Sequence, residues 1–179
     1  FFRFFDLLIS FLGVLFGCLL LPLIVLGNLV ANRGSLFYIQ ERIGKNGHLF
    51  RIIKYRTMVK NAEKNGAVWA KKGDERITHF GRFLRNSRLD EMPQFLNILK
   101  GEMSLIGPRP ERPHFVRELS QSLPFYETIH IIKPGLTGWA QVNTRYGSSV
   151  DDSLLKLQYD LYYIKHRSFF LDANILIKT

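Results

Sequence analysis

The chain opens on an apolar run and then changes character. Residues 7–30, LLISFLGVLFGCLLLPLIVLGNLV, carry no charge over 24 positions, and as one helix they would extend about 36 Å at ~1.5 Å per residue. That exceeds the ~30 Å hydrocarbon layer of a bilayer. The run is too long for a cleaved signal peptide and lacks its small-residue cleavage pattern, so membrane insertion is expected. Pro22 complicates a simple span, because it cannot donate to the carbonyl of Cys18 and its ring crowds that turn. A kink is expected there, and a kinked helix either crosses the bilayer or turns back with both ends on one face. Arg33, Arg42 and Lys45 favour a cytoplasmic side for the C-terminal end of the run.

Beyond residue 32 the pattern is that of a folded body. LFYIQERIG and HLFRIIKYRTM, two short apolar runs across Lys45-Asn46-Gly47, predict a β-hairpin. Alternation places Lys54 and Arg56 on one face of its second arm, suited to gripping a phosphate or simply to facing solvent. Residues 60–76 are polar with two glycines and read as a mobile loop with some helix. From Ile77 the spacing is helical: Ile77, Phe80, Phe83 and Leu84 form one stripe, and Arg82, Arg85 and Arg88 another, which suits a helix at a membrane surface or one packed on a core.

A second helix is predicted from Asp90, a favoured N-cap residue, with Glu91 and Pro93 in its first turn and Lys100-Gly101 as its stop. There Asp90 is either a cap or an ionised carboxylate beside arginines, available as nucleophile or Mg²⁺ ligand. The three prolines of GPRPERP hold Arg109 and Arg112 in a rigid turn, where planar guanidiniums suit a diphosphate. A helix over 113–123, a turn-rich KPGLTGWAQVN, a tyrosine-rich helix over 151–165 and a short apolar tail helix complete the chain. The sum is mainly α with one small β-hairpin, an α+β protein.

Composition narrows the partners. Of the charged residues, 24 basic and 14 acidic come after Asn32, so the whole formal charge of +10 sits on the body. Such a body suits lipid headgroups, nucleic acid or phosphorylated substrates. Cys18 is the only cysteine, which excludes an intrachain disulfide. No G-x-x-x-x-G-K, G-x-G-x-x-G or G-x-S-x-G occurs, and the five histidines lack zinc spacing. A membrane-tethered module for nucleic acid or anionic lipid would explain the charge and the leader, but not an acidic pair amid arginines.

Taken in order, the leader with Pro22, QERIGKNG, KYRTM, SRLDEMPQFLNILKGEMSLIGPRP, KPGLTGWAQVN and the YDLYYIKHRSFFLD tail resemble the bacterial monotopic phosphoglycosyl transferases. The resemblance covers nearly the whole chain, and PRPERP and the tail look like the larger subfamily. It implies transfer of a sugar 1-phosphate from a UDP-sugar to undecaprenyl phosphate with release of UMP, the first membrane step of exopolysaccharide, O-antigen or glycoconjugate synthesis.

The same resemblance assigns roles. Asp90 would be the nucleophile that forms an aspartyl phosphosugar, Glu91 would join it in holding Mg²⁺, and Lys54, Arg85 and Arg109 would contact phosphates. Arg56, Arg88, Arg112, Gln141 and Asn143 are further candidate contacts. Residues 1–32 would be a re-entrant membrane helix broken at Pro22, and 33–179 a catalytic domain with interfacial amphipathic helices on the cytoplasmic face of the inner membrane. Membrane lipids are expected partners, nucleic acid is not, and a homodimer is compatible with the resemblance. Leu21 stands where serine is common in the family, Ser35 where proline is usual and Thr144 where glycine is usual.

Overall fold

The computed structural model describes residues 2–32, 34–64, 66, 68, 73–144 and 150–179. Helix α1 (Phe2–Gly27) continues as a wider π-type turn, Asn28–Asn32, giving 31 helical residues. Pro22 lies inside α1, and the hydrogen-bond spacing changes only after Gly27. Leu21 packs beside Ile24, Tyr55 and Leu84, so an apolar contact occupies the position before the proline.

One side of α1 is buried: Asp6, Ser10, Gly17, Ile24 and, in the turn, Asn28, spaced by four- and seven-residue steps, as one face of a helix requires. Elsewhere it presents large apolar side chains outward, with Leu19 73% and Leu23 68% exposed. A core helix would bury these residues; here their exposure leaves an apolar surface around most of the helix.

The body begins with the predicted hairpin, β1 (Phe37–Ile43) and β2 (Leu49–Tyr55), antiparallel with Phe37 opposite Tyr55 and Ile43 opposite Leu49. Asn46 and Gly47 turn it with φ of 56° and 76°, a left-handed pair that these two residue types tolerate best. Of the loop expected over 60–76, residues 65, 67 and 69–72 lie outside the described ones, as does Arg33 of the preceding turn.

Helix α2 (His79–Asn86) starts where Thr78 Oγ1 accepts from the Gly81 amide at 2.9 Å. The single helix predicted from Asp90 is divided instead. A 3₁₀ turn, Leu89–Glu91, comes first, and α3 (Gln94–Lys100) begins after Pro93. Pro93 has no amide to donate, so regular helix begins just beyond it. The stop at Gly101 is as predicted, with φ 89°.

Next come β3 (Ser104–Ile106), α4 (Pro113–Ser122), a 3₁₀ segment Tyr126–Ile131, β4 (Gly135–Thr137), α5 (Trp139–Asn143), α6 (Val150–His166) and α7 (Phe169–Lys178). Strands β3 and β4 pair in parallel; at three residues each they are too short to show periodicity. The core joins Phe50 and Ile52 of the hairpin to Ile98, Met103, Tyr163 and Ile175, the last four without accessible surface. Trp139 packs against this cluster with Lys178 Nζ 4.8 Å from its ring centre.

Both ends of α1 are fastened to this one body. At its start, Arg3 donates to the carbonyls of Ile98 and Leu99 at 2.6 and 3.0 Å, while Asp6 accepts from Ser104 Oγ and the Leu105 amide. At its end, Asn28 and Asn32 donate to the carbonyls of Gly34 and Arg56 at 2.9 and 2.8 Å. Between the ends α1 lies close: a Cβ on Gly13 would fall 2.5 Å from the Phe95 ring, and one on Gly27 2.3 Å from Phe80.

Candidate active site

The acidic pair sits in the link between α2 and α3. Arg88 adopts a left-handed conformation, φ 58°, uncommon for a residue with a side chain. This ends α2 and starts the 3₁₀ turn, whose Glu91 amide donates to the Arg88 carbonyl at 3.2 Å. Asp90 and Glu91 are each only 8% exposed.

The two neighbours differ in what surrounds them. Glu91 Oε1 accepts from Lys54 Nζ at 2.7 Å and Arg109 Nη2 at 3.0 Å, and Arg88 Nη1 is 4.0 Å from Oε2. Burial opposes its charge, but Arg109 and Lys54 outweigh burial and hold the carboxyl well below the usual range. Asp90 accepts no hydrogen bond among the described residues. Burial, joined by the Glu91 charge, pushes it up against the pull of Lys54, Arg85 and Arg109. The helix N-terminus expected at Asp90 is not there, since regular helix starts only at Gln94, and desolvation is the largest effect on its carboxyl.

The expected phosphate-binding residues divide similarly. Lys54 reaches in from β2, and burial lowers its ammonium, against the opposing pull of Glu91. Arg109 comes from the proline-rich turn. Arg85 Nε donates to Thr57 Oγ1 at 2.9 Å and acts on Asp90 through charge. Arg88 is mostly exposed. Arg56 lies one residue past β2 and donates to the Ser35 carbonyl at 2.9 Å, so it does not share the grip of Lys54. Arg112 is paired with Glu63 and donates to Tyr38 Oη at 3.2 Å. Gln141 and Asn143 bond within their own segment, to the carbonyls of Leu136 and Trp139.

Sequence reasoning passed over Thr57, which positions Arg85, and Arg42, which holds the turn bearing Arg109. Both lie within segments carrying the family resemblance, yet nothing in their spacing shows what they touch. No group of three or more His, Cys, Asp and Glu forms a metal cage among the described residues. The donors on offer are the Asp90 carboxylate and Glu91 Oε2. Mg²⁺ commonly takes one or two carboxylates and completes its shell with phosphate and water oxygens, and this donor set fits an ion shared with a diphosphate.

The family model described as bacterial sugar transferase matches residues 1–179. The chain belongs to the bacterial sugar transferase family. Among its relatives is the UDP-N-acetylgalactosamine-undecaprenyl-phosphate N-acetylgalactosaminephosphotransferase of Aeromonas hydrophila, 45% identical over 97% of this chain and 41% of that protein. The UDP-glucose:undecaprenyl-phosphate glucose-1-phosphate transferases of Xanthomonas campestris pv. campestris and Escherichia coli (strain K12) are 40% and 34% identical, over 87% and 97% of this chain and 33% and 38% of theirs. This bacterial sugar transferase chain thus spans well under half the length of these relatives. Its acidic pair, Lys54 and Arg109 form a buried cation–carboxylate centre in a family whose named members move sugar phosphates.

Proposed function

We propose that this chain transfers a sugar 1-phosphate from a UDP-sugar to undecaprenyl phosphate, releasing UMP, through a covalent intermediate on Asp90. The observation that carries the reading is the asymmetry of the pair: Glu91 accepts from two cations through Oε1, while the adjacent Asp90 carboxylate is buried, unbonded and near the charges of Lys54, Arg85 and Arg109.

In the first displacement an Asp90 oxygen attacks the sugar-bearing phosphorus. A P–O bond forms, the bond to the UMP oxygen breaks, and UMP leaves with that electron pair. In the second, an oxygen of undecaprenyl phosphate attacks the same phosphorus and the Asp90–phosphorus bond breaks, restoring the carboxylate. Little else is asked of the protein beyond placement and charge. Lys54 and Arg109 orient Glu91 and present positive charge to the diphosphate, and Arg85 adds its charge near Asp90. Mg²⁺, held by Asp90 and Glu91 with phosphate oxygens, would offset the diphosphate charge.

The fastening of both ends of α1 to one body supports a re-entrant path, since a bilayer-crossing helix would send its ends to opposite faces. On this reading the body lies on the cytoplasmic face of the inner membrane. There a water-soluble nucleotide sugar and a lipid that cannot leave the bilayer both reach Asp90.

Purified protein incubated with Mg²⁺, UDP-sugars and undecaprenyl phosphate should release UMP; release of UDP, or of no nucleotide, would sink the reading. Asp90→Asn should abolish turnover and remove a sugar-phosphate adduct seen by mass spectrometry. An adduct that persists in this variant places the nucleophile elsewhere.

A further inference from the structure

Strand β1 is built inside out. Phe37 and Ile39 are 42% and 58% exposed, while Tyr38, Gln40 and Arg42, on the opposite face by alternation, are partly buried. Burying a polar strand face and exposing an apolar one costs free energy unless the polar groups find partners. Here their partners lie in the proline-rich turn and beside it. Arg42 Nη1 donates to the Pro110 carbonyl at 3.0 Å and lies 3.4 Å from Glu111 Oε2, and its Nη2 donates to Gln40 Oε1 at 2.7 Å. The next residue adds a main-chain link, the Ile43 amide donating to the Glu111 carbonyl at 3.0 Å. Gln40 Nε2 donates to Tyr38 Oη at 2.6 Å, and Tyr38 Oη to Glu63 Oε2 at 3.1 Å.

We propose that Arg42 is a positioning residue: it clasps Pro110 and Glu111 so that the adjoining Arg109 is aimed at Glu91 and at the substrate diphosphate. This rests on the reaction proposed above. The hairpin would then supply both arms that meet on Glu91 Oε1, Lys54 directly from β2 and Arg109 through the clasp on β1. Register supports the pairing, since Tyr38 stands opposite Lys54 and Arg42 opposite Phe50 of the core. Arginine suits the task because its planar fork serves the turn and Gln40 at once, and an ammonium lacks that geometry. The crowding has a cost: burial and the nearby Arg109 and Arg112 lower the Arg42 guanidinium to about 10, with Glu111 opposing. Three arginines, Arg42, Arg109 and Arg112, thus gather at one turn.

The test is a double-mutant cycle on the full-length protein, read by UDP binding in calorimetry and by UMP release. Arg42→Gln should raise the Kd for UDP and the KM for UDP-sugar about tenfold, the scale of a charge-assisted contact, and leave kcat within about twofold, as expected for lost uniform binding. In an Arg109→Gln background the same substitution should change Kd by less than about twofold, because the residue it positions is gone. Arg42→Lys should resemble Arg42→Gln. Full additivity of the two substitutions, or recovery of affinity by Arg42→Lys, would overturn the clasp and leave a long-range effect of charge. A wild-type protein that neither binds UDP nor releases UMP would overturn the reaction itself and the clasp with it. If Arg42→Gln does not fold, Glu111→Gln loosens the clasp from the other side and takes its place in the cycle with the same expected outcomes.

Discussion

Asp90 and Glu91, consecutive in the chain and equally buried, are driven in opposite directions by the same surroundings. Burial and the Glu91 charge raise Asp90; Arg109 and Lys54 overcome burial and depress Glu91. A single buried centre thereby pulls one carboxyl below the ordinary range and pushes its neighbour above it, a division seen where two acids serve different roles.

The pH dependence of turnover should report Asp90. On the reaction proposed above only the ionised carboxylate attacks phosphorus, so kcat/KM for UMP release should fall as acid protonates it. Because Asp90 is raised, the acid limb should lie above the ordinary value of 3.8. Arg85→Gln, which removes a charge that lowers Asp90, should move the limb to higher pH. A limb at or below the ordinary value, or one unmoved by Arg85→Gln, would disconnect the profile from this carboxylate.

Removing Glu91 should destabilise the fold more than its single side chain suggests. Glu91→Ala leaves Lys54, whose side chain is 16% exposed, without its partner, and breaking a buried pair in this way costs roughly 3–5 kcal/mol. Adding Lys54→Met should recover much of the loss. Thermal unfolding in detergent measures both, and a melting temperature unchanged by Glu91→Ala would contradict the pairing.

The pair also predicts two opposite stability slopes with pH. Glu91 is depressed on folding, so its contribution is present above its ordinary 4.5 and is lost as pH falls towards the folded value. Asp90 is raised, so its contribution is full below 3.8 and is lost as pH rises through the folded value. In unfolding series across acidic pH, Glu91→Gln should flatten the first slope and Asp90→Asn the second. A slope that survives its substitution belongs to another group.

Close approach beneath Arg85 gives a steric test. A Cβ on Gly81 would fall 2.0 Å from the Thr57 carbonyl oxygen, a backbone atom that cannot rotate away. Gly81→Ala should therefore cost about 1–3 kcal/mol by overpacking and loosen Thr57, on which Arg85 rests. Melting in detergent reads the first effect and the KM for UDP-sugar the second. A fully stable Gly81→Ala protein would rule out the close contact.

Topology is accessible through the one cysteine, Cys18, which is exposed on α1. In membranes it should resist a water-soluble maleimide and react with a lipid-soluble one. With Cys18 replaced by alanine, single cysteines introduced at Arg3 and Gly34 should both label from the cytoplasmic side. Labelling of the two from opposite faces would establish a crossing helix instead.

Much of this protein is written locally. The apolar leader, the hairpin turned by Asn46-Gly47, helices α4, α6 and α7, and the stop at Gly101 each depend on residues within a few positions of one another, and each is legible in the sequence. Asp90, Glu91, Lys54, Arg85 and Arg109 stand out as candidates in the sequence, because residue type and family order mark them. Their effects on one another do not. Lys54 and Glu91 are 37 positions apart and Arg109 a further 18, and charge balance at a buried carboxylate depends on distance in space. The same holds for Arg56, which alternation placed beside Lys54 but which turns to Ser35 once the strand ends. It holds also for Arg42, whose worth lies in a turn 68 positions away. Residue order alone was enough for the hairpin and the longer helices and for naming candidate site residues, but not for the divided helix at Asp90 or the short parallel pair of β3 and β4. Packing in three dimensions chose which carboxylate is ion-paired and which accepts no hydrogen bond among the described residues, and brought both ends of the apolar helix to one body, because burial and pairing are properties of packed neighbours.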